Sequence, residues 1–243
     1  MSLRFYTFAE RPELERLKQP LLDAWPRFML WDPVADACFG LLYDRFPAFQ
    51  HFLVDEERDE LIAEVNSLPA PLEVGSLPDR GWDETMESGT AADDGAATVV
   101  SAVQVMIHPA RQGEGLAALC LGRMREAAGA HGFRDLVAPV RPSWKARYPL
   151  TPMEAYASWT TGDGLPFDPW LRVHARLGAS IVGICTKSMT IPGTLEQWRA
   201  WTGLTFPRTA DYVIPGALVP VSIDVESQRG VYVEPNVWMH HRI

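Results

Sequence analysis

The spacing of apolar residues predicts a buried strand, a turn, a long helix and a second strand near the middle of the chain. Residues 98–107 are rich in β-branched side chains, almost continuously apolar and followed by Pro109, which is typical of a buried strand. Apolar residues then recur with helical period over 116–130, and Gly132 follows where a left-handed helix end is expected. Residues 136–140 are again apolar and predict a short buried strand.

The N-terminal third carries shorter patterns. Residues 4–8 are rich in aromatic side chains and predict a first strand. Leucines at spacings of three and four predict an amphipathic helix over 13–22, and 38–46 is a second helical segment. Residues 49–54 and 60–65 predict two strands joined by a charged hairpin turn.

Residues 75–97 differ in character from their surroundings. Glycine and proline punctuate them, and six acidic residues stand against a single cation, Arg80. This composition predicts a solvated loop, in which Trp82 and Met86 would allow the loop to fold over a substrate. The acidic residues are Asp79, Asp83, Glu84, Glu87, Asp93 and Asp94.

The C-terminal part predicts three helices and a terminal hairpin. Apolar spacing indicates helices over 153–159 and 169–177, and a third over 194–201 that begins with a capping-box sequence. Residues 219–225 and 231–233 are apolar runs on either side of a polar turn. They predict two antiparallel strands.

Length and composition limit the class of protein. The chain has 243 residues, 47% of them hydrophobic, which suits one large globular domain with extensions. A formal net charge of −9 argues against nucleic-acid partners and anionic membrane surfaces. No run of 18 apolar residues could span a bilayer. Three widely spaced cysteines and an N-terminus without an apolar signal core indicate a cytoplasmic protein, and no cysteine or histidine spacing indicates a metal site.

The turn between strand 98–107 and helix 116–130 has the composition of an anion site. Gly113 and Gly115 leave the backbone accessible to a ligand. The first N–H groups of a helix lack intrahelical partners, and the helix dipole places partial positive charge on them. We therefore expect the turn to bind a phosphate or pyrophosphate.

Two common phosphate loops match this turn poorly. A P-loop requires Gly-Lys-Ser/Thr, which the chain lacks. The dinucleotide fingerprint requires three glycines and an acidic residue about 20 positions later. Here Ala118 occupies the third position and Asp135 falls near the acidic one, but repeated βαβ units are missing.

A third signature matches better. The run Gln112-Gly113-Glu114-Gly115-Leu116-Ala117 resembles the Q/R-x-x-G-x-G/A motif of the GNAT superfamily of acyl-CoA-dependent N-acyltransferases. Residues 171–179 resemble the later helix-to-strand motif of that superfamily, with Ala179 in place of the usual phenylalanine. The order of predicted elements over 98–234 agrees as well.

The resemblance implies an α/β (α+β) fold for residues 1–243 as a single domain. We expect a GNAT-like three-layer sandwich, in which helices flank a central mixed, mostly antiparallel sheet. The chain is longer than such a core requires, and the extra length falls at about 75–97 and 139–169.

The resemblance also assigns the site. Coenzyme A would bind through its pyrophosphate to the loop, and through its pantetheine arm to the backbone of the preceding strand, where one N–H would polarise the thioester carbonyl. The implied cofactor-binding residues are Val105, Met106, Ile107, Gln112, Gly113, Glu114, Gly115, Leu116, Ala117 and Ala118. Ser143, in the cationic and aromatic segment 141–149, is a further contact; the alternative is that this segment is only a proline-fixed surface loop.

The catalytic residues are less well specified. The family often places a tyrosine acid four residues before the glycine of Leu-Gly; His174 occupies that position, and the alternative is that it only packs on the sheet. Glu73, after the third strand, and Tyr148 are the preferred choices for the base that collects the amine proton. Glu154, Tyr156 and Glu234 are others, and a chain of water molecules is a further alternative.

The sequence therefore predicts an N-acetyltransferase that moves an acetyl group from acetyl-CoA to a primary amine by direct attack, without a metal. The acceptor would be a small molecule or a peptide. The alternatives are a non-catalytic acyl-CoA-binding regulatory module and transfer of a larger acyl group. The oligomeric state stays open, with a homodimer among the options because exposed hairpins in such folds often pair.

Overall fold

The computed structural model describes residues 2–93 and 95–243, so Met1 and Asp94 lie outside the described residues. All described strands belong to one sheet, in the order β1-β2-β3-β4-β5-β9-β8-β7, and β6 also pairs with β9. The strands are β1 (Leu3–Thr7), β2 (Gln50–Asp55), β3 (Glu60–Ala70), β4 (Val99–Ile107), β5 (Asp135–Val140), β6 (Ser180–Thr194), β7 (Ala210–Tyr212), β8 (Val221–Asp224) and β9 (Arg229–Arg242). This mixed, mostly antiparallel sheet confirms the predicted fold class.

Six α-helices accompany the sheet in the described part of the chain. They are α1 (Pro33–Arg45), α2 (Gly81–Ala91), α3 (Leu116–Ala130), α4 (Met153–Ala157), α5 (Pro169–Arg176) and α6 (Leu195–Thr202). Helix α3 packs its apolar stripe, including Cys120, Leu121 and Met124, against β2, β3 and β4. Helices α1 and α2 pack with α6 in a second apolar cluster. The sheet is thereby the middle of three layers.

The pairing of β4 with β5 is short. These two strands are parallel, and their pairs are Val100 with Leu136 and Ser101 with Val137. Strand β4 nevertheless continues to Ile107, and β5 continues to Val140. The two strands therefore separate beyond Ser101, which leaves an opening in the middle of the sheet.

Several predicted elements are confirmed near their predicted bounds. Strands β1 to β5 and helix α3 fall where the apolar pattern places them. The capping box of α6 is formed, because Gln197 N–H donates to Thr194 Oγ1 at 3.2 Å and Thr194 N–H donates to Gln197 Oε1 at 2.7 Å. The predicted terminal hairpin is β8 with β9.

The predicted α-helix over 13–22 is wrong. The chain instead forms two 3-10 helices there, Pro12–Leu17 and Gln19–Ala24, and a third follows at Arg27–Trp31. Pro20 lies inside the predicted helix, where its missing N–H and its ring are incompatible with a continuous α-helix. The leucine spacing still reflects burial, since Leu14 and Leu21 are both buried.

The prediction of a solvated loop over 75–97 is wrong for residues 81–91, which form helix α2. Trp82 and Met86, four residues apart, lie on the buried face of this helix. Its exposed face carries an ion pair between Arg80 and Glu87 at 2.8 Å. The high charge of the segment concealed this narrow apolar stripe.

One acidic residue of α2 is deeply buried. The Asp83 side chain accepts a hydrogen bond from Thr190 N–H at 3.1 Å through Oδ2, whereas Oδ1 has no hydrogen-bond partner among the described residues. Burial raises the pKa of Asp83 to about 8, and the charges of Asp32 and Glu87 add to this rise while Arg80 opposes it. The folded chain therefore holds a proton at Asp83 that the unfolded chain has released at neutral pH.

This proton predicts a pH dependence of stability. Because the pKa of Asp83 is raised in the folded chain, the free energy of unfolding is largest at low pH. It decreases as pH rises from the ordinary pKa of an aspartate towards 8. We expect Asp83→Asn to be more stable than the natural chain at pH 9, by at least about 1.4 kcal/mol, the equivalent of one pKa unit. Urea unfolding at pH 5 and pH 9 measures the difference, and equal pH slopes for both proteins would contradict it.

Candidate active site

A cleft of about 920 Å³ follows the opening between β4 and β5. It is lined on one side by the loop before α3 and by α5, and on the other by the N-terminal 3-10 helices, α1 and α2. Residues 102–107 of β4 and 138–140 of β5 line it between these two regions. The side next to α3 and α5 is named here the donor half, and the side next to α1 and α2 the acceptor half.

The loop at the start of α3 is shaped for an anion. Gly113 and Gly115 both have left-handed backbone conformations, with φ of +86° and +79°, which glycine adopts without steric cost. Gly115 is the N-cap of α3, so no side chain caps the helix at that residue. The first N–H groups of α3 are thus open to a ligand in the donor half.

Arg111 holds this loop to the sheet. Its guanidinium donates two hydrogen bonds to the Glu114 carboxylate, at 2.8 and 2.9 Å. The same side chain lies 3.8 Å from the buried carboxylate of Asp55 at the end of β2. The Glu114 side chain therefore points at Arg111, and the ion pair between them stabilises the conformation of the loop.

Most of the predicted coenzyme A residues line the cleft. Glu114 and Ala118 do not, and the Ala118 N–H donates to Gly115 O at 3.2 Å, so it is not an open donor. The predicted residues on the cleft wall are Val105, Met106, Ile107, Gln112, Gly113, Gly115, Leu116, Ala117 and Ser143.

Asp168 organises the far wall of the donor half. This buried carboxylate caps α5 by accepting from Trp170 N–H and Leu171 N–H, at 2.9 and 3.2 Å. It also accepts from Trp144 N–H at 2.7 Å and from the Tyr156 hydroxyl at 2.8 Å. One side chain thus fixes α4, α5 and the segment 141–149 relative to one another. Ser143 N–H donates to Asp168 as well, at 3.2 Å.

His174 lies on α5 and lines the donor half of the cleft. Its Nδ1 is 2.9 Å from Nε2 of His241 on β9, and its Nε2 has no hydrogen-bond partner among the described residues. Burial lowers the pKa of His174 to about 3, with a further contribution from His241. At neutral pH the ring is therefore an uncharged imidazole.

The two preferred base candidates lie elsewhere. Glu73 is exposed before a short 3-10 turn and does not line the cleft. Tyr148 packs in an aromatic cluster with Tyr156, Trp159 and Phe167, also outside the cleft. A base at either position would have to act from outside the cleft, because neither side chain reaches its wall.

The further base candidates are also occupied or remote. Glu154 is exposed on α4. Tyr156 donates its hydroxyl proton to Asp168. Glu234 is buried and accepts from Arg141 Nε at 2.9 Å, which makes it part of the support beneath the cleft.

A buried carboxylate that sequence reasoning missed lies in the acceptor half. Glu64 on β3 is fully buried and lines the cleft. Its Oε1 accepts from the Tyr43 hydroxyl and from Asn66 Nδ2, whereas Oε2 has no hydrogen-bond partner among the described residues. Burial raises the pKa of Glu64, and nearby Lys18 acts in the opposite direction.

Glu64 lies beside the part of β4 that no longer pairs with β5. It pairs across the ladder with Met106, and Asn66 pairs with Gln104. Gln104 Nε2 in turn donates to Asn66 Oδ1 at 3.0 Å. A signal for Glu64 existed in the sequence, since it is a lone acid inside the apolar run of β3, which is rare unless the charge has a partner or a task.

The rest of the acceptor half is aromatic and apolar, with the acidic Asp36 and Glu64 and the basic Lys18, which is ion-paired with Glu15 at 2.5 Å. Asp36 and Glu64 both line the cleft. Asp36, in the first turn of α1, is exposed to solvent, whereas Glu64 is fully buried. The walls are formed by Leu22, Trp25, Met29, Leu30, Phe39, Trp82, Val103 and Met189.

The site contains no cluster typical of a bound metal. The described residues include no group of three or more histidine, cysteine, aspartate or glutamate side chains that could hold a metal ion. Within that same part of the chain, no helix combines the length and the apolar character needed to cross a membrane.

The chain is similar to a curated relative over nearly its whole length. It is 33% identical over 269 aligned positions to the arginine N-acetyltransferase avaD of Aspergillus versicolor, covering 98% of this chain and 93% of that protein. No family model matches the chain.

Solved structures share the fold. The loading GNATL domain of CurA from Lyngbya majuscula superposes with a TM-score of 0.60 at 19% identity, covering 100% of this chain and 98% of that one. The GphF GNAT-like decarboxylase in complex with isobutyryl-CoA gives a TM-score of 0.55 at 17% identity. The superposition covers 100% of this chain and 99% of that one.

The chain belongs to the GNAT superfamily. It is an N-acetyltransferase with an amine as acceptor. The predicted family and reaction are confirmed, and the similarity to an enzyme over the full chain favours catalysis over a non-catalytic acyl-CoA-binding module.

The donor loop yields a prediction at Gly115. A methyl group there would meet no atom of the free protein within 4 Å, but it would stand where the predicted pyrophosphate site requires a close approach of the loop backbone. We expect Gly115→Ala to raise the Kd of acetyl-CoA at least about tenfold in calorimetry, while the far-ultraviolet circular dichroism is unchanged.

Gly132 provides the matched control, because it also has a left-handed conformation, with φ of +84°, and equally open space around an added methyl group. It follows the opposite end of α3. Gly132→Ala should carry similar backbone strain and leave the Kd unchanged. Equal effects of both substitutions would show that strain, and not the phosphate contact, weakens binding.

Proposed function

We propose that the chain transfers the acetyl group of acetyl-CoA to the α-amino group of arginine by direct attack. The observation that carries the proposal is the acceptor half itself, where aromatic walls lead from an exposed carboxylate to a buried one. The relative avaD, whose similarity covers 98% of the chain, is an arginine N-acetyltransferase. Because a guanidinium stays protonated in proteins, the α-amino group is the nucleophile.

Arginine fits the acceptor half by charge and shape. Asp36 supplies a negative charge at the exposed end, and Trp25, Phe39 and Trp82 offer aromatic faces. A guanidinium is stabilised both by a carboxylate and by stacking on such faces. The methylene groups of the arginine side chain would then pack against Met29 and its apolar neighbours.

Glu64 is the proposed general base. Its free Oε2 faces no competing donor among the described residues, and its Oε1 is oriented by Tyr43 and Asn66. Burial raises its pKa, which makes the carboxylate a stronger base for the proton that the attacking amine must lose. Glu64 therefore takes over the role that the sequence assigned to Glu73 or Tyr148.

His174 is proposed to contribute as a neutral donor on the thiol side. If His241 donates to its Nδ1, the His174 ring carries its own proton on Nε2. That N–H would stabilise the developing thiolate of coenzyme A by a hydrogen bond. A charged imidazolium is not required, in agreement with the lowered pKa.

The acceptor assignment is tested by thiol release with a panel of amines. We expect arginine to give the highest kcat/KM, lysine a lower value, and uncharged amino acids of similar length the lowest. Asp36→Asn should raise the KM for arginine about threefold, as expected for an exposed ion pair, without changing the KM for acetyl-CoA.

Asp44→Asn is the control for that substitution, because Asp44 is exposed on the same helix but does not line the cleft. It should leave both KM values unchanged. No preference for arginine over uncharged amines in the natural protein would refute the proposed acceptor.

The base assignment predicts the effect of Glu64→Gln. The amide keeps the size and the hydrogen bonds of the side chain but cannot accept the amine proton, so we expect kcat to fall by about 10² or more. The kcat of the natural protein should rise with pH through the raised pKa of Glu64, and this limb should disappear in the variant. Glu126→Gln on the exposed face of α3 is the control, and retention of the limb in Glu64→Gln would exclude Glu64 as the base.

A further inference from the structure

Arg141 reaches the cleft from the end of β5. It directly follows Val140, the last residue of that strand, and lines the cleft. Val140 packs with α4 and α5 on the donor side of the sheet. Because successive side chains of a strand point to opposite faces, the Arg141 side chain is expected on the other face, beside α1 and α2.

The hydrogen bonds of Arg141 agree with this placement. Its Nε donates to Glu234 Oε2 at 2.9 Å, and the same oxygen accepts from the Tyr232 hydroxyl at 2.8 Å. Tyr232 belongs to the apolar cluster that includes α1, α2 and α6. Arg141 Nη2 donates to Gly216 O at 2.5 Å. An added methyl group at Gly216 would be 2.7 Å from Pro26 Cγ, in the N-terminal segment that walls the acceptor half.

The guanidinium of Arg141 retains free donors. A guanidinium has five N–H groups, and the two hydrogen bonds use one on Nε and one on Nη2. Nη1 donates to no group in the described part of the chain, and it is not buried. The Arg141 side chain is 19% exposed, whereas its partner Glu234 is fully buried. The Nη1 edge of the guanidinium is therefore available to a ligand in the cleft.

The other cationic side chains on the described part of the cleft wall are less suited to a ligand. Arg111 donates two hydrogen bonds to Glu114. Lys18 Nζ lies 2.5 Å from the Glu15 carboxylate, and an ammonium lacks the planar pair of donors that a guanidinium offers to a carboxylate. Arg141 combines a fixed guanidinium plane with donors that have no partner among the described residues.

We propose that Arg141 binds the α-carboxylate of the acceptor, an inference that rests on the proposed function and extends it. An α-amino acid carries its amine and its carboxylate on one carbon, so the cation that binds the carboxylate must lie near the point of attack. Glu64 is on β3, beyond β4 on one side of the opening, and Arg141 follows β5 on the other side. The amine is thus directed towards Glu64 and the carboxylate towards the guanidinium, which can hold it by two parallel hydrogen bonds. The site thereby selects amino acids over amines that lack a carboxylate.

The test compares arginine with argininamide, in which a neutral amide replaces the carboxylate. Arg141→Lys keeps a cation for Glu234 but loses the planar pair of donors, so we expect kcat/KM for arginine to fall at least about tenfold. The value for argininamide and the Kd of acetyl-CoA should change less than about twofold. Because each acceptor is compared between the two proteins, the different basicities of the two amines cancel.

Arg147→Lys is the matched control. Arg147 belongs to the same segment 141–149 but is exposed and does not line the cleft, and its guanidinium carbon lies 4.5 Å from the centroid of the Trp144 ring. This variant should leave kcat/KM unchanged for both acceptors. If Arg141→Lys unfolds the chain because the buried Glu234 loses its partner, the double substitution Arg141→Gln with Glu234→Gln removes both charges and makes the same test.

The outcomes separate the alternatives. A loss confined to arginine supports the proposal. Equal losses for arginine and argininamide would show that Arg141 only supports the cleft wall, and would overturn it. A loss confined to arginine in Lys18→Gln but absent in Arg141→Lys would assign the carboxylate to Lys18 and overturn it as well. If the natural protein does not prefer arginine over norleucine, the proposed acceptor fails, while norleucine compared with norleucinamide still decides the role of Arg141.

Discussion

The separation of β4 from β5 is the constraint on which the rest of the site depends. Two parallel pairs, ending at Ser101 and Val137, hold the strands together before they diverge. Pro139 cannot donate a ladder hydrogen bond on β5, and Val103 interrupts the regular pleat of β4. The opening lets one cleft reach both faces of the sheet, so that donor and acceptor can meet from opposite sides. Without it, the loop before α3 and the buried Glu64 would lie on separate surfaces.

Negative charge is distributed differently from what the composition suggests. The acidic segment around α2 has the composition of a surface loop that attracts a cationic substrate, but Asp79 and Asp83 in it bind backbone groups of β6. Asp79, for example, accepts from Thr186 N–H at 2.5 Å. The carboxylates that face the cleft, Asp36 and Glu64, come from α1 and β3. The donor loop, in contrast, relies on backbone N–H groups.

The sequence predicted those parts of the site in which local pattern and chemistry coincide. The strand, glycine turn and helix over 98–130 are adjacent in the chain, so their geometry follows from local rules. Glu64 could not be placed in the same way, because its role depends on Tyr43 from α1 and on the register of β3 with β4. The lowered pKa of His174 could not be predicted either, because it follows first from burial of the ring in the folded chain and then from His241, 67 residues away in sequence. Helix α2 was not predicted, because charged and polar residues outnumber the apolar residues of its buried face.

The two halves of the cleft are supplied by different parts of the chain. The donor half is built from residues after 104, whereas the walls of the acceptor half come largely from residues 18–39 and from Trp82. The 3-10 helices within 12–31 contribute no strand to the sheet. Substitutions in this N-terminal segment can therefore change the size and charge of the amine that is accepted while the acetyl-CoA site is retained. The architecture therefore places acceptor choice and donor binding in separable parts of one chain.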